Sequence, residues 1–170
     1  PPNVIDWPPS TLSLKPNRFW EKIFFIFIFL SRFLIFLLPF KNLREAITLA
    51  SIIEKEGLEK RKIAGVFINR LRKNMRLQSD PTVIYSLGKN FDGNLTRKDL
   101  QIDNPYNTYR YKGLPPGPIS IVSFESLEAA LNPLRTDYLY FVSMGNGFHK
   151  FSKTLAEHNE AVLRYQINAR

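Results

Sequence analysis

Along much of the chain, apolar positions recur with a helical period. Ala46, Leu49, Ala50 and Ile53 are spaced by threes and fours and Gly57 supplies a stop, which predicts a helix over 43–56. Ile63, Val66, Phe67, Ile68 and Leu71 predict a second helix over about 58–73, with an outer face rich in Lys and Arg. Residues 75–79 read as short and extended, and Asp80-Pro81 opens a turn or short helix that runs through Leu87. Thr96 is placed to cap a helical turn at 97–100. Asp103–Pro118 is dense in Pro, Gly, Asn and Tyr and reads as a long ordered loop, a type of segment that is often functional. A helix over 124–131 ends at Asn132-Pro133. Tyr138–Ser143 is aromatic and β-branched, Gly145-Asn146-Gly147 is a turn, and 148–151 follows as the return strand of a hairpin. Thr154 and Glu157 form a capping box for a last helix reaching about Tyr165. No internal repeat is present. The predicted class is α+β: a helical domain over 41–170 with a small antiparallel hairpin, preceded by an apolar helix-like segment.

That apolar segment, 19–40, breaks the pattern. It holds eight of the 14 Phe, and its core Ile23–Leu38 has 16 residues with one charge, Arg32, and one Ser. A membrane-spanning helix wants about 20 apolar residues, and a mid-membrane Arg costs at least a few kcal/mol. Three readings stand open: a short membrane span, a buried or interfacial helix, and a corrupted stretch of sequence. No small-residue cleavage site follows it, so it does not read as a signal peptide. Residues 1–18 carry five Pro and read as an irregular arm, and the start at Pro1 without Met predicts a fragment of a longer protein.

Composition narrows the partners. There are 24 Lys+Arg against 15 Asp+Glu, a formal charge of +9, which favours nucleic acid, an anionic membrane surface or an acidic wall polymer. The absence of Cys excludes disulfides, thiolate metal sites and Cys nucleophiles. His149 and His158 stand apart from any ligand-spaced carboxylate cluster, so no metal site is expected. His158 shares a helical face with Leu155, Val162 and Tyr165 and reads as a core or cleft histidine. Neither a Gly-x-Ser-x-Gly elbow nor a phosphate-cradling Gly loop is present.

Glu54 and Glu56 lie about 200° apart around the first helix, so one can face a cleft while the other faces solvent. Glu56 sits in the last turn, where the helix dipole disfavours its charge, and half-burial there would raise its pKa toward that of a general acid. A solvated Glu-Lys-Glu turn is the plain alternative. The basic second helix suits phosphate or anionic-glycan contact, or is a solvated face. The loop Pro105–Tyr111 mixes rings with amides and hydroxyls, which suits sugar binding, single-stranded nucleic acid stacking, or simple packing.

The stretches Leu49–Glu56, Ala64–Leu71, Met75–Tyr85, Tyr106–Tyr109, Gly113–Ile119, Tyr138–Val142 and His149–Asn159 hold a definite order and spacing over some 120 residues. In that order they resemble the endolytic murein transglycosylase (MltG/YceG-like) family. The resemblance implies a membrane-anchored enzyme of the bacterial cell envelope, with its catalytic domain on the extracytoplasmic side. It would cut peptidoglycan glycan strands between N-acetylmuramic acid and N-acetylglucosamine and leave 1,6-anhydro ends. It further implies that Glu56 is the acid/base, that Gln78, Asp80 and Thr82 orient the glycan or hold Glu56, that Tyr106, Asn107, Tyr109 and His149 bind the glycan, and that His158-Asn159 brace the cleft. No metal, cofactor or nucleic acid is called for, and the wall-synthesis machinery is a possible partner. Three features depart from the expected family pattern: the apolar run abuts the first helix, Ile121-Val122-Ser123 replaces an Asn-Pro-Gly, and the small LysM-like domain expected upstream is missing from this stretch. The rival readings are a peptidoglycan-binding remnant without turnover and a basic nucleic-acid-binding protein.

Overall fold

In a computed structural model of the chain, residues 38–167 are described. They form five α-helices and one two-stranded antiparallel sheet, the α+β class expected. The predicted arm over 1–18 and the apolar segment over 19–40, save its last three residues, lie outside the described residues. Among the described residues no helix is long and apolar enough to cross a membrane.

Helix α1, Leu43–Glu56, begins where the Asn42 side chain accepts the Glu45 amide at 3.0 Å. Its face of Ala46, Leu49, Ala50 and Ile53 is fully buried, as the spacing predicts. Against it pack α2, Lys60–Arg72, through Ile63, Ala64 and Phe67, and α4, Phe124–Leu131, through Ala129 and Ala130. Small residues on α4 let the helix backbones approach, and the large residues of α1 and α2 fill the layer between. Between α2 and α4 the chain forms α3, Asp80–Leu87, with Pro81 in its first turn, and then short 3-10 turns at Gly88–Asn90 and Asp99–Gln101. The loop 103–118 is irregular, as expected, and still ordered by hydrogen bonds described below.

The hairpin pairs β1, Tyr140–Ser143, with β2, His149–Ser152, in the register Tyr140↔Ser152 to Ser143↔His149. It begins two residues later than the pattern suggested. The reason lies in α2: the Asn69 side-chain amide donates to the carbonyls of Thr136 and Tyr138, and Arg70 Nε donates to Leu139. Those acceptors are spent on the helix rather than on a strand. The same approach explains Gly65, where a Cβ would stand 2.4 Å from the Leu134 carbonyl oxygen. Phe141 then meets Phe67 edge to face at 5.7 Å, seating the hairpin on α2. Helix α5, Leu155–Val162, starts with the predicted Thr154/Glu157 capping box and ends in a π-helical turn, Leu163–Ile167.

Candidate active site

The C-terminal end of α1, the Leu77–Asp80 bend, the hairpin and α5 enclose a cleft of about 600 Å³. Glu56 lies on its floor, and the following residue shows how closely the walls meet. A Cβ on Gly57 would stand 2.7 Å from His149 Cε1, so the imidazole occupies the space a side chain would take. Glu56 is half-buried, yet the exposure it retains is to a confined cleft, where an anion is poorly solvated. Burial is accordingly the main cause that raises its carboxyl from the ordinary 4.5 to about 7. A 2.5 Å hydrogen bond from Ser79 Oγ to Oε1 and the nearby Arg70 pull the other way, while Asp80 adds to the rise.

Glu54, two residues earlier, has the opposite environment. Its Oε2 accepts from Ser123 Oγ and Ser126 Oγ at 2.5 Å each and from Lys60 Nζ and the Ser123 amide at 3.1 Å each. The hydroxyls of Ser123 and Ser126, followed by Lys60, hold its carboxyl at about 2. It ties the start of α4 to α1 as a permanent anion, and the two carboxylates are thereby told apart: one is a fastener, the other is poised to exchange a proton near neutrality.

Around Glu56 the cleft is polar. Arg70 is 7% exposed; its guanidinium donates to Arg76 O, Leu77 O and Gln78 Oε1 and lies 5.0 Å from the Tyr140 ring centroid. Tyr109 donates its hydroxyl to Asp80 Oδ1 at 2.5 Å, and burial, then Asp80, push that hydroxyl's pKa upward. His149 is enclosed by the rings of Phe141 and Phe151. Its pKa is lowered, chiefly by burial, and its Nδ1 lies 3.6 Å from Glu59 Oε2, beyond hydrogen-bond range. The same Glu59 oxygen accepts the His149 amide at 2.8 Å and so pins the strand. His158 stacks on Tyr140 at 5.2 Å, its pKa lowered by burial and then by Arg70.

Of the residues singled out from sequence, Glu56, Gln78, Asp80, Tyr109 and His149 line the cleft, and His158 and Asn159 line its far wall. Thr82, Tyr106 and Asn107 do not reach it. Thr82 is fully buried and donates to the Ser79 carbonyl at 2.7 Å. Tyr106 packs on Tyr85 at 4.8 Å. Asn107 is fully buried, donates to Leu100 O and Ile102 O, and accepts from the Tyr109 amide, so its amide closes the loop. In all three cases the polar or aromatic group is consumed by the protein's own backbone and side chains. Of the cations on the basic second helix, for which anionic-glycan contact and a solvated face both stood open, Arg70 belongs to the site, and Ser79 and Tyr140 join it. For Arg70 the signal was its place on the apolar stripe, three residues beyond Phe67 and seven beyond Ile63. Among the described residues no cluster of three or more His, Asp or Glu is arranged for a metal ion.

The YceG-like family pattern matches residues 35–164, which includes every wall of the cleft except its last residue, Gln166. The chain belongs to the YceG-like family. An endolytic murein transglycosylase of Bacillus subtilis (strain 168) is 53% identical over 127 residues, covering 73% of this chain and 35% of the relative. One from Streptococcus pneumoniae (serotype 2, strain D39) is 42% identical over 113 residues, 61% of this chain and 20% of the relative. A crystal structure of a YceG-like protein from Listeria monocytogenes superposes with a TM-score of 0.64 at 53% identity, over 69% of this chain and 38% of that one. The chain thus spans about a third of the length of the Bacillus family member and a fifth of the Streptococcus one.

Proposed function

We propose that this chain carries the catalytic domain of an endolytic lytic transglycosylase, with Glu56 as its single acid/base. The observation that carries the reading is the Glu56 carboxyl, set at the floor of a polar cleft with a pKa raised by burial to about 7. A carboxyl that is half protonated at neutral pH can give a proton and then take one back. The names of the relatives supply the substrate class.

In the proposed reaction Glu56 donates its proton to the glycosidic oxygen between N-acetylmuramic acid and N-acetylglucosamine, and the C1–O bond breaks. The muramoyl C6 hydroxyl attacks C1 of the same sugar, and its proton passes to the Glu56 carboxylate. The products are a 1,6-anhydromuramoyl end and a free N-acetylglucosamine 4-hydroxyl, with Glu56 protonated again. The nucleophile is on the sugar, so the second carboxylate that most glycosidases need is dispensable. Asp80 and Tyr109, Gln78 and His149 line the path of the strand. Because the polymer lies outside the cytoplasm, we place the domain on the outer face of the cell membrane, joined to it by segments beyond residues 38–167. Wall-synthesis enzymes that make the strands are its natural partners there.

The test is incubation of the parent protein and Glu56→Gln with bacterial peptidoglycan sacculi, followed by mass analysis of released sugars. Anhydromuramoyl ends from the parent but not the variant are expected. Equal release by both removes Glu56 from the mechanism, and binding without release by the parent marks a non-catalytic wall-binding module.

A further inference from the structure

Ser79 stands at the N-cap position of α3, where a serine side chain normally accepts a hydrogen bond from the first turn. Here it makes no such bond. Its hydroxyl turns instead to Glu56 Oε1 at 2.5 Å, and the residue is 1% exposed. The backbone on either side is fixed to make that possible. The Ser79 amide donates to Thr108 Oγ1 at 3.0 Å, and its carbonyl accepts the Thr82 hydroxyl at 2.7 Å. The Thr82 and Thr108 hydroxyls share a further bond of 2.8 Å, and both residues are buried. Gln78, just before, adopts the left-handed region at φ 52, where residues other than glycine are uncommon, and Arg70 holds its side-chain oxygen at 3.1 Å. A forgone cap and an unfavourable backbone conformation, both braced by buried groups, point to a task for the one hydroxyl they place.

We propose that Ser79 is the positioning residue of the Glu56 acid: its hydroxyl occupies Oε1, so that Oε2 is the oxygen that delivers and recovers the proton. The proposal rests on the acid/base role argued above for Glu56. Among the described residues Oε2 takes no hydrogen bond. In the neutral acid the carbonyl oxygen accepts and the hydroxyl oxygen donates, so a donor fixed on Oε1 puts the acidic proton on Oε2. When that proton leaves, the Ser79 bond becomes charge-assisted and strengthens, easing the formation of the carboxylate. Thr82 and Thr108 act through Ser79. They are therefore assigned to the site without touching the cleft.

The experiment follows the Glu56 carboxyl carbon by NMR titration of the full chain, with the signal assigned by its loss in Glu56→Gln, beside the pH dependence of kcat/KM for anhydro-sugar release. Removing a donor that favours the charged form makes Glu56 harder to ionise. Ser79→Ala is expected to move the titration midpoint and the alkaline limb of kcat/KM upward together by about one pH unit or more. It also loses about tenfold or more in kcat through misorientation. Ser79→Thr, which keeps a hydroxyl, returns both toward the parent. Should Ser79→Ala not fold, Thr82→Val removes the brace alone and is expected to move the midpoint the same way by less. A midpoint unmoved in these variants overturns the proposal whatever the rate does. A midpoint that moves in a protein whose parent form releases no anhydro sugars supports the Ser79 contact and sinks the transglycosylase reading instead.

Discussion

Holding a carboxyl near pH 7 has a thermodynamic cost, and Glu56→Gln exposes it. In the unfolded chain Glu56 ionises near 4.5, and in the folded protein near 7. Below pH 4.5 both states carry the proton and the group contributes no pH dependence. Between 4.5 and 7 the unfolded state loses its proton first, so stability falls as pH rises, and above 7 the loss is complete. A difference of about 2.5 between the two values, at about 1.36 kcal/mol each, amounts to about 3 kcal/mol. Gln has nearly the same shape, can still accept from Ser79 through its carbonyl oxygen, and has nothing to ionise. Urea unfolding of parent and variant across pH 4–9 should therefore give curves that meet near pH 4. They should diverge until Glu56→Gln is about 3 kcal/mol more stable at pH 8 and above. Every other titrating group, Glu54 included, is common to both proteins and cancels in the difference. Two curves that stay parallel over the whole range would show that Glu56 has an ordinary pKa and refute the burial argument.

Two further substitutions probe the same region. Glu54→Ala strips Ser123, Ser126 and Lys60 of their shared acceptor and should cost about 2–3 kcal/mol in urea unfolding at pH 7; the parent's loss of stability between pH 4.5 and 2 should be smaller in the variant, since a carboxyl held at about 2 stabilises only above that range. A variant as stable as the parent to within about 0.5 kcal/mol would mean the fastener is idle. Gly57→Ala drives a methyl to 2.7 Å from His149 Cε1, and the ring is hemmed in by Phe141 and Phe151. A loss of about 1–3 kcal/mol is expected, with the Glu56 titration midpoint falling toward 4.5 as the cleft opens to water; an unmoved midpoint would show that the His149 wall contributes nothing to the burial.

The helical period was enough to place α1, because Ala46, Leu49, Ala50 and Ile53 must all face one way and Gly57 ends the run. The hairpin was legible from its turn and aromatic run, but its first residues were not, because Asn69 and Arg70 take the carbonyls that a strand would use. The upward direction of the Glu56 shift could be reasoned from a helix-end position. Its leading cause is burial under segments distant in the chain, and no local pattern reports that. For the basic helix, anionic contact and a solvated face stay open in the sequence because composition counts charges without asking which stripe they occupy; Arg70 sits on the buried one. For Asn107 the loop's composition leaves sugar binding and simple packing equally open, because an amide that bonds a hydroxyl and one that bonds a backbone carbonyl look alike in one dimension. Ser79 gave a single hint, a capping residue in front of Asp80-Pro81, and only the three-dimensional fold showed that its hydroxyl points elsewhere.

The order of causes acting on Glu56 carries one more consequence. A carboxyl tuned mainly by neighbouring charges follows the ionic strength around it, because mobile counterions screen such charges over about 8 Å at physiological salt. Glu56 is set first by burial and then by the Ser79 hydrogen bond, and its two charged neighbours, Asp80 and Arg70, push in opposite directions. Counterions have little to screen. Its proton affinity is thus built into the protein rather than borrowed from the medium.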